Sequence, residues 1–244
     1  MILRAPVVAV AVSLGIAACD EPHTTAVCGQ VQAARSVLPS QCGPSLDLTP
    51  INTYQGEIAA VQDREDAVVL INGTCTGTLI AASAGPVVVT AGHCVALGDR
   101  ELVAFNVEAE PDGDPLVTNG TVIEQSTAPD YALIQLDQLP MVTPTLLTIW
   151  SSDLLAIIQH PRGDPKVVTE GNFSGAYDGL IFYTDLDTLV GSSGAGVLNR
   201  QGHLLGIHTD GDCAVDGSGS NMGWDAAGIV EASAYLQPTD IDDR

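Results

Sequence analysis

Short runs of β-branched and aliphatic residues recur from about residue 61 onwards, separated by Gly, Pro, Asp and Asn. Runs of this kind at this spacing predict an all-β sandwich or a pair of β-barrels. Aromatic residues make up only 4% of the 244 residues, so Val, Leu, Ile and Ala must form the core. Helical periodicity is weak until residues 224–237, where we predict a C-terminal helix. Examples of the runs are AVVLI (67–71), PVVVTA (86–91), YALIQL (131–136) and HLLGIHT (203–209).

The first residues predict export from the cytoplasm. One Arg precedes an apolar run over residues 5–18, which is too short and too rich in small residues for a membrane span. We therefore interpret residues 1–18 as a signal peptide. Cys19 ends the stretch IAAC, which resembles the bacterial lipoprotein box and implies lipidation of that cysteine. The alternative is an ordinary cleaved signal with a chance Cys. In both cases disulfides are permitted.

Residues 19–60 are mixed in composition and rich in turn residues, which is typical of a linker on the lipid side of the folded domain. A short ordered piece within it is expected, and a disulfide between Cys28 and Cys42 is one way to hold it; the pairing of Cys28, Cys42 and Cys213 stays open. Whether residues 20–60 are removed stays open. Five cysteines remain after Cys19, and because this number is odd, one thiol should stay free or pair with another chain.

The charge of the chain excludes one class of partner. Acidic residues number 30 against 8 Lys and Arg, a formal net charge of −22. A surface this acidic repels phosphate, so we expect no nucleic-acid partner. The Asp- and Gly-rich loop at residues 209–221 has oxygen ligands that suit calcium, but it lacks EF-hand spacing, and we predict no metal site.

The stretch GSSGAG (191–196) suits acyl transfer. This chemistry needs an exposed nucleophile beside backbone N–H groups that bind the developing oxyanion. Gly191 has no side chain, so its amide can face the substrate oxygen together with the amide of Ser193, and Gly194 permits a sharp turn. Ser193 is thus the candidate nucleophile rather than Ser192, with Gly191 and Ser193 as the oxyanion hole. By itself, a Gly/Ser cluster is more often an ordinary loop.

A serine nucleophile needs a base, and His93 is the best candidate. The segment CTGTLIAASAGPVVVTAGHC (75–94) reads as strand, turn and strand with a cysteine at each end. Because an antiparallel pair of this length brings its ends together, a disulfide between Cys75 and Cys94 would fix the turn that carries His93.

This segment resembles the trypsin-like serine peptidases, in which the histidine lies in a Thr-Ala-Ala-His-Cys motif with a Cys upstream. Gly92 replaces the second Ala, a mild departure. APDYALIQLD (128–137) resembles the Asp-x-Ala-Leu strand of that family, so Asp130 matches the catalytic aspartate. The order His93, Asp130, Ser193 is also the order of the family.

The resemblance covers residues 61–237 and is strongest to the bacterial branch that includes the glutamyl endopeptidases and the lysyl-type enzymes. IQHPRGDPKVV (158–168) is similar to the His-Pro-x-Gly-x-x-Lys strand entry of that branch. Two departures follow the nucleophile, where Ala195 and Gly196 replace Ser-Pro. Ser192 stands where trypsin has the Asp that receives a freed N-terminus, so the site is expected to be preformed.

The resemblance implies two packed antiparallel β-barrels, with residues 61–145 forming the first barrel and residues 146–244 forming the second barrel and the C-terminal helix. It implies a serine endopeptidase that acts on polypeptides without a cofactor, and we expect a monomer. Two rival interpretations are a catalytically inactive peptide-binding module on the same scaffold and an esterase of another fold. The α/β-hydrolase order Ser, Asp, His is reversed here, which argues against the esterase.

The specificity of the pocket is ambiguous. Asp187, six residues before the nucleophile, matches the base of the family's pocket and would attract Lys or Arg at P1, the residue before the cleaved bond. GIHTDG (206–211) instead resembles the glutamyl endopeptidase strand, in which His208 and Thr188 would hold an acidic P1 side chain; Thr209 lies in the same strand. Asp187 and His208 can also pair and neutralise each other. An acidic P1 residue is slightly favoured, although the net charge weakens this preference.

Overall fold

The computed structural model of the chain describes residues 40–111 and 115–242. The expected signal peptide, the lipidated Cys19 and Cys28 lie outside these residues. No helix of the described part is long and apolar enough to cross a membrane.

The helices are α1 (Val61–Arg64) and α2 (Ala226–Ala232). The strands are β1 (Thr49–Pro50), β2 (Val68–Ile71), β3 (Cys75–Ile80), β4 (Val87–Thr90), β5 (Arg100–Phe105), β6 (Leu116–Thr127), β7 (Asp130–Leu136), β8 (Leu147–Thr148), β9 (Leu154–Gln159), β10 (Val167–Tyr177), β11 (Leu180–Thr184), β12 (Gly196–Leu198), β13 (Leu204–Gly211), β14 (Asn221–Asp225) and β15 (Ile241–Asp242).

Two six-stranded antiparallel barrels confirm the expected fold class. The first closes in the order β2-β3-β4-β7-β6-β5. The second closes in the order β9-β10-β11-β14-β13-β12, because β12 pairs with both β13 and β9. The short strands β8 and β15 extend the second sheet by parallel pairing beside β13, and β1 pairs with β10.

Several strands are apolar on both faces because they separate two cores. In β4, Val88 packs inside the first barrel while Val87 and Val89 face the layer between the barrels. In β9, Ile157 packs inside the second barrel while Ile158 faces that same layer. Successive side chains of a strand point to opposite faces, so these runs need no polar alternation.

The C-terminal helix is shorter than the predicted 224–237. The Asp225 side chain caps its start by accepting a hydrogen bond from the Gly228 amide at 2.6 Å. The chain turns away at Ser233, where Glu124 of the first barrel accepts hydrogen bonds from the Ser233 hydroxyl and the Ala234 amide, both at 2.7 Å. This tertiary contact ends the helix earlier than its sequence pattern suggests.

The expected Cys28–Cys42 disulfide is wrong, because Cys42 pairs with Cys213. The described part of the expected linker, residues 40–60, packs on the second barrel instead of extending from it. Thr49 pairs with Val168 of β10, and Ile51 is buried in the layer between the barrels. The segment packs there because its apolar side chains are buried and its backbone amides find hydrogen-bond acceptors on the second barrel.

A buried ion cluster joins the two barrels near the N-terminal segment. The Lys166 ammonium is fully buried and contacts Glu65, and it donates to Glu108 at 2.9 Å. Burial raises the pKa of Glu65 to about 7. Burial also opposes ionisation of Glu108, but hydrogen bonds with Glu65 and Lys166 outweigh it and lower its pKa, so Glu108 ionises first.

We predict that Lys166→Met lowers the free energy of unfolding by about 3–5 kcal/mol, because it leaves the two carboxylates buried without a cation. Urea denaturation would measure this loss. Arg100→Met is the matched control, since Arg100 pairs with Asp137 with both side chains about half exposed, and it should change stability little. Equal small losses in the two variants would show that the Lys166 cluster contributes no more than a surface ion pair.

Candidate active site

His93 and Asp130 meet at one end of the first barrel. His93 lies in the single 3₁₀ turn Gly92–Cys94 that follows β4, and Asp130 begins β7, the antiparallel neighbour of β4. Asp130 accepts hydrogen bonds from the His93 amide at 3.0 Å and from the His93 ring Nδ1 at 2.6 Å. Because a carboxylate can only accept, the ring bond places a proton on Nδ1, and in the neutral ring Nε2 is then the nitrogen without a proton.

The glycine that departs from the family motif has a steric reason. A Cβ at Gly92 would overlap the Ser126 carbonyl and lie 2.8 Å from the Asp130 carboxylate. The missing side chain therefore lets the carboxylate approach the His93 turn. The Gln125 side chain braces the same turn by donating to the Gly92 and Val95 carbonyls, each at 2.8 Å.

The pKa of His93 lies above its ordinary value of 6.5. The hydrogen bond to Asp130 is the main cause, since it stabilises the imidazolium, and partial burial opposes it. The side chain of His93 is 48% exposed, so it can meet a substrate. The ring is thus a stronger base than a free imidazole and is held in one tautomer.

Ser193 lies on the loop that enters β12, held against the first barrel. Its carbonyl accepts from the Thr76 amide at 3.0 Å, and the next amide, that of Gly194, donates to the His208 carbonyl at 2.7 Å. Gly194 has φ +84°, and a Cβ there would lie 2.7 Å from the Ala91 amide. The loop therefore lies beside the end of β4, which leads directly into the His93 turn. Across residues 40–111 and 115–242, no hydrogen bond joins the Ser193 hydroxyl to His93.

The disulfide between Cys75 and Cys94 links these two parts of the site. Cys94 directly follows His93, and Cys75 directly precedes Thr76, which holds the Ser193 loop. The covalent bond therefore connects the turn of the candidate base to the strand that supports the candidate nucleophile.

The candidate oxyanion amides are free to receive a ligand. Within the described part of the chain, the amides of Gly191 and Ser193 donate to no protein acceptor. Gly191 has φ +99°, and a Cβ there would lie 2.6 Å from the Arg162 amide. The buried Ser192 hydroxyl accepts from the Leu189 amide at 3.0 Å, which holds the loop in place. A glycine at 191 is thus required by both conformation and space.

Sequence reasoning missed Thr76 and Thr90 as positioning residues. The Thr76 hydroxyl donates to the Gly191 carbonyl at 2.8 Å, and the Thr90 hydroxyl donates to the Thr76 carbonyl at 2.7 Å. Both side chains are fully buried. The only signal in the sequence was a polar residue inside an apolar strand, which does not identify a partner.

All four residues expected to bind the P1 side chain are buried, and Asp187, Thr188 and His208 are engaged with other groups. The Asp187 carboxylate accepts from the amides of Cys42 at 2.6 Å and Asp47 at 2.5 Å. The ring Nδ1 of His208 lies 2.6 Å from the Tyr183 hydroxyl. Among the described contacts, Asp187 and His208 do not pair, so the mutual neutralisation left open by the sequence is not formed.

Burial controls the charge of these side chains. It raises the pKa of Asp187, although the two amides oppose the shift, and it lowers the pKa of His208 to about 3, so this ring is neutral. Thr188 accepts from the Asn221 side chain at 3.2 Å. The Thr209 hydroxyl is buried without a hydrogen-bond partner in the described residues.

The family model for trypsin-like peptidase domains matches residues 75–207, which is more than half of the chain. The chain belongs to this family. The trypsin-like resemblance seen in the sequence is thereby confirmed. No curated protein matches the chain in sequence.

Solved structures support the same fold for this peptidase domain. The serine endoprotease from Yersinia pestis is similar with a TM-score of 0.58 and 17% identity, over 73% of this chain and 65% of that one, just under two thirds of its length. Deg5 is similar with a TM-score of 0.57 and 21% identity, over 74% of this chain and 93% of that one. The MamO protease domain from Magnetospirillum magneticum is similar with a TM-score of 0.55 and 16% identity, over 70% of this chain and 97% of that one. None of the three supports the narrower glutamyl endopeptidase branch, which stays a prediction.

We predict that a histidine titration by NMR separates His93 from the buried rings. His93 should titrate above pH 6.5, whereas His208 and His160 should stay neutral down to about 3 and about 4, the values to which burial lowers their pKa. Asp130→Asn should lower the His93 midpoint, because the neutral amide lacks the negative charge that stabilises the imidazolium. Asp137→Asn is the control and should leave it unchanged. If the midpoint of the His93 titration is unchanged in Asp130→Asn, the assigned hydrogen bond between His93 and Asp130 is contradicted.

Proposed function

We propose that this chain is a serine endopeptidase that hydrolyses peptide bonds through His93, Asp130 and Ser193. The observation that carries the proposal is the 2.6 Å bond between His93 and Asp130 on the turn tied by disulfide to the strand that holds the Ser193 loop. Membership of the trypsin-like peptidase domain family supports it.

In this mechanism Asp130 keeps the proton on Nδ1 of His93, so Nε2 is the base. Nε2 takes the hydroxyl proton of Ser193 as the oxygen attacks the peptide carbonyl carbon. The amides of Gly191 and Ser193 then bind the oxyanion. The imidazolium returns the proton to the leaving amine, and water releases the acyl group with His93 again acting as base. The hydrogen bond between the Ser193 hydroxyl and Nε2 of His93 forms in the substrate complex, since catalytic hydrogen bonds are often long or unformed without substrate.

The exposed end of β13 is the edge to which we assign the substrate backbone. Strand β12 pairs with β13 only up to Ile207, so Thr209–Gly211 have no described neighbour on that side. A peptide added there as a strand runs past Ser193, because the Gly194 amide already bonds the carbonyl of His208.

The proposed function includes neither a preference for a basic P1 residue nor a preference for an acidic one. Lys or Arg at P1 needs access to the Asp187 carboxylate, which is buried and already accepts two amide hydrogens from residues 42 and 47. The acidic preference rests on Thr188 and His208, which are engaged by Asn221 and Tyr183. The glutamyl endopeptidase branch therefore remains a hypothesis that a P1 profile decides.

We also propose that the protein is exported through residues 1–18, anchored by a lipid at Cys19 and active as a monomer. The two disulfides of the described residues fit a protein outside the cytoplasm, where such bonds persist.

A fluorophosphonate probe tests the reaction. We predict covalent labelling of Ser193 that is lost in Ser193→Ala and His93→Ala, because labelling needs the hydroxyl and its base. Cleavage of a peptide library should fall by roughly 10⁶-fold in kcat/KM in the same variants. His203→Ala is the matched histidine control, since His203 lies on the hairpin between β12 and β13 and should leave labelling intact.

Mass spectrometry of the labelled peptide identifies the serine. A folded protein that takes up no probe but still binds peptides would favour the inactive binding module over the peptidase.

A further inference from the structure

An N-terminal segment, Ser40–Asp47, lies against the pocket side of the second barrel; we call it the strap. Its amides at Cys42 and Asp47 occupy the two carboxylate oxygens of Asp187. The disulfide between Cys42 and Cys213 ties it to the loop that connects β13 to β14. The strap is therefore fixed both covalently and by hydrogen bonds to a buried acid.

The route of a P1 side chain follows from the position of Ser193. The space next to Ser193 that a P1 side chain would enter has two walls. The first wall is formed by residues 186–190, which lead into the nucleophile loop. The other wall is the exposed end of β13, with Gly211 paired to Asn221 of β14 behind it. A peptide on the edge of β13, with its carbonyl at Ser193, must point its P1 side chain between these walls.

Ser40 of the strap bridges the two walls. Its carbonyl accepts from the Thr188 amide at 3.3 Å on one side and from the Asn221 side chain at 2.9 Å on the other. A Cβ at Gly211 would overlap the Ser40 side chain, so the strap lies directly on the α-carbon of that glycine. The space that a P1 side chain needs is thus filled from the strap side.

Asn221 fills the rest of the space from β14. It is fully buried, and its side-chain nitrogen donates to the Leu186 carbonyl at 2.8 Å and to the Thr188 hydroxyl at 3.2 Å. Its oxygen accepts from the Cys213 amide at 3.2 Å. This buried amide links the first wall, the strap and the disulfide loop into one polar network. Opening the space requires breaking several buried hydrogen bonds, each of which leaves a polar group unsatisfied.

We propose that Ser40 and Asn221 close the P1 pocket, so that with the strap in place the peptidase excludes P1 side chains larger than the methyl group of alanine. The Cys42–Cys213 disulfide holds this closure. Asp187 is then the anchor of the strap and not a reader of substrate charge. The inference rests on the proposed function, because it assigns the P1 preference of that same site.

A P1 profile on a peptide library, measured with the disulfide intact, tests the closure. We predict kcat/KM for Gly or Ala at P1 at least about tenfold above that for Leu, Glu or Lys, since a filled pocket rejects added bulk. Asn221→Gly should raise the relative kcat/KM of the larger P1 residues about tenfold or more, because it removes the side chain that fills the space. Asn119→Gly is the matched control on exposed β6 and should leave the profile unchanged.

The double variant Cys42→Ser/Cys213→Ser gives an independent arm by releasing the strap, and it should widen the profile in the same direction. Thermal unfolding shows whether Asn221→Gly and the double cysteine variant are folded. The test of the closure needs only one of these two variants to fold. Fluorophosphonate labelling separates the two proposals. A labelled wild-type protein that cleaves as well after Glu, Lys or Leu as after Ala overturns the closure but keeps the peptidase. A folded protein without a reactive serine overturns the peptidase, and the closure fails with it.

Discussion

Thr76 connects the two barrels through its amide and its hydroxyl, while its carbonyl bonds within the first barrel. The amide donates to the Ser193 carbonyl, and the hydroxyl donates to the Gly191 carbonyl while accepting from the His160 amide at 3.0 Å. Its carbonyl accepts from Thr90. A peptidase of this architecture needs its base on one barrel and its nucleophile on the other, so the geometry between them depends on bonds of this kind. Thr76 is fully buried, which makes these bonds costly to leave unmade.

This arrangement explains how the nucleophile loop holds its shape without an acid beside the nucleophile. In trypsin an Asp before the nucleophile receives a freed N-terminus. Here the same position is Ser192, whose hydroxyl accepts only a local amide at 3.0 Å. The support comes instead from β3, to which the Cys75–Cys94 disulfide also attaches the His93 turn. A loop braced across the cleft in this way has its support without a new terminus, and the preformed site stays a prediction of the sequence.

The motifs on the side of the cleft that carries His93, Asp130 and Ser193 can be found in the sequence, because each of them is local. His93 follows a strand and precedes a Cys, Asp130 begins a strand, and Gly191 and Gly194 mark a loop that only glycine can form. The barrels follow from short apolar runs that recur between turn residues, although runs buried on both faces hide which core each residue joins. Sequence patterns could not predict Thr76 as a bridge, since its partners in the second barrel, His160, Gly191 and Ser193, lie more than 80 residues away in the chain.

The pocket side is different, because its main contacts come from a segment that looked like a linker. A carboxylate as buried as that of Asp187 is costly unless hydrogen bonds satisfy it, and its two donors are amides 140 or more residues earlier in the chain. Without the strap, Asp187 would need a proton or a cation. The strap and the acid therefore form one structural unit, and a motif that reads as a charged pocket in sequence becomes an internal anchor. Residues that lie in short motifs can be predicted from the sequence alone, whereas the shape of a pocket formed by three distant segments cannot.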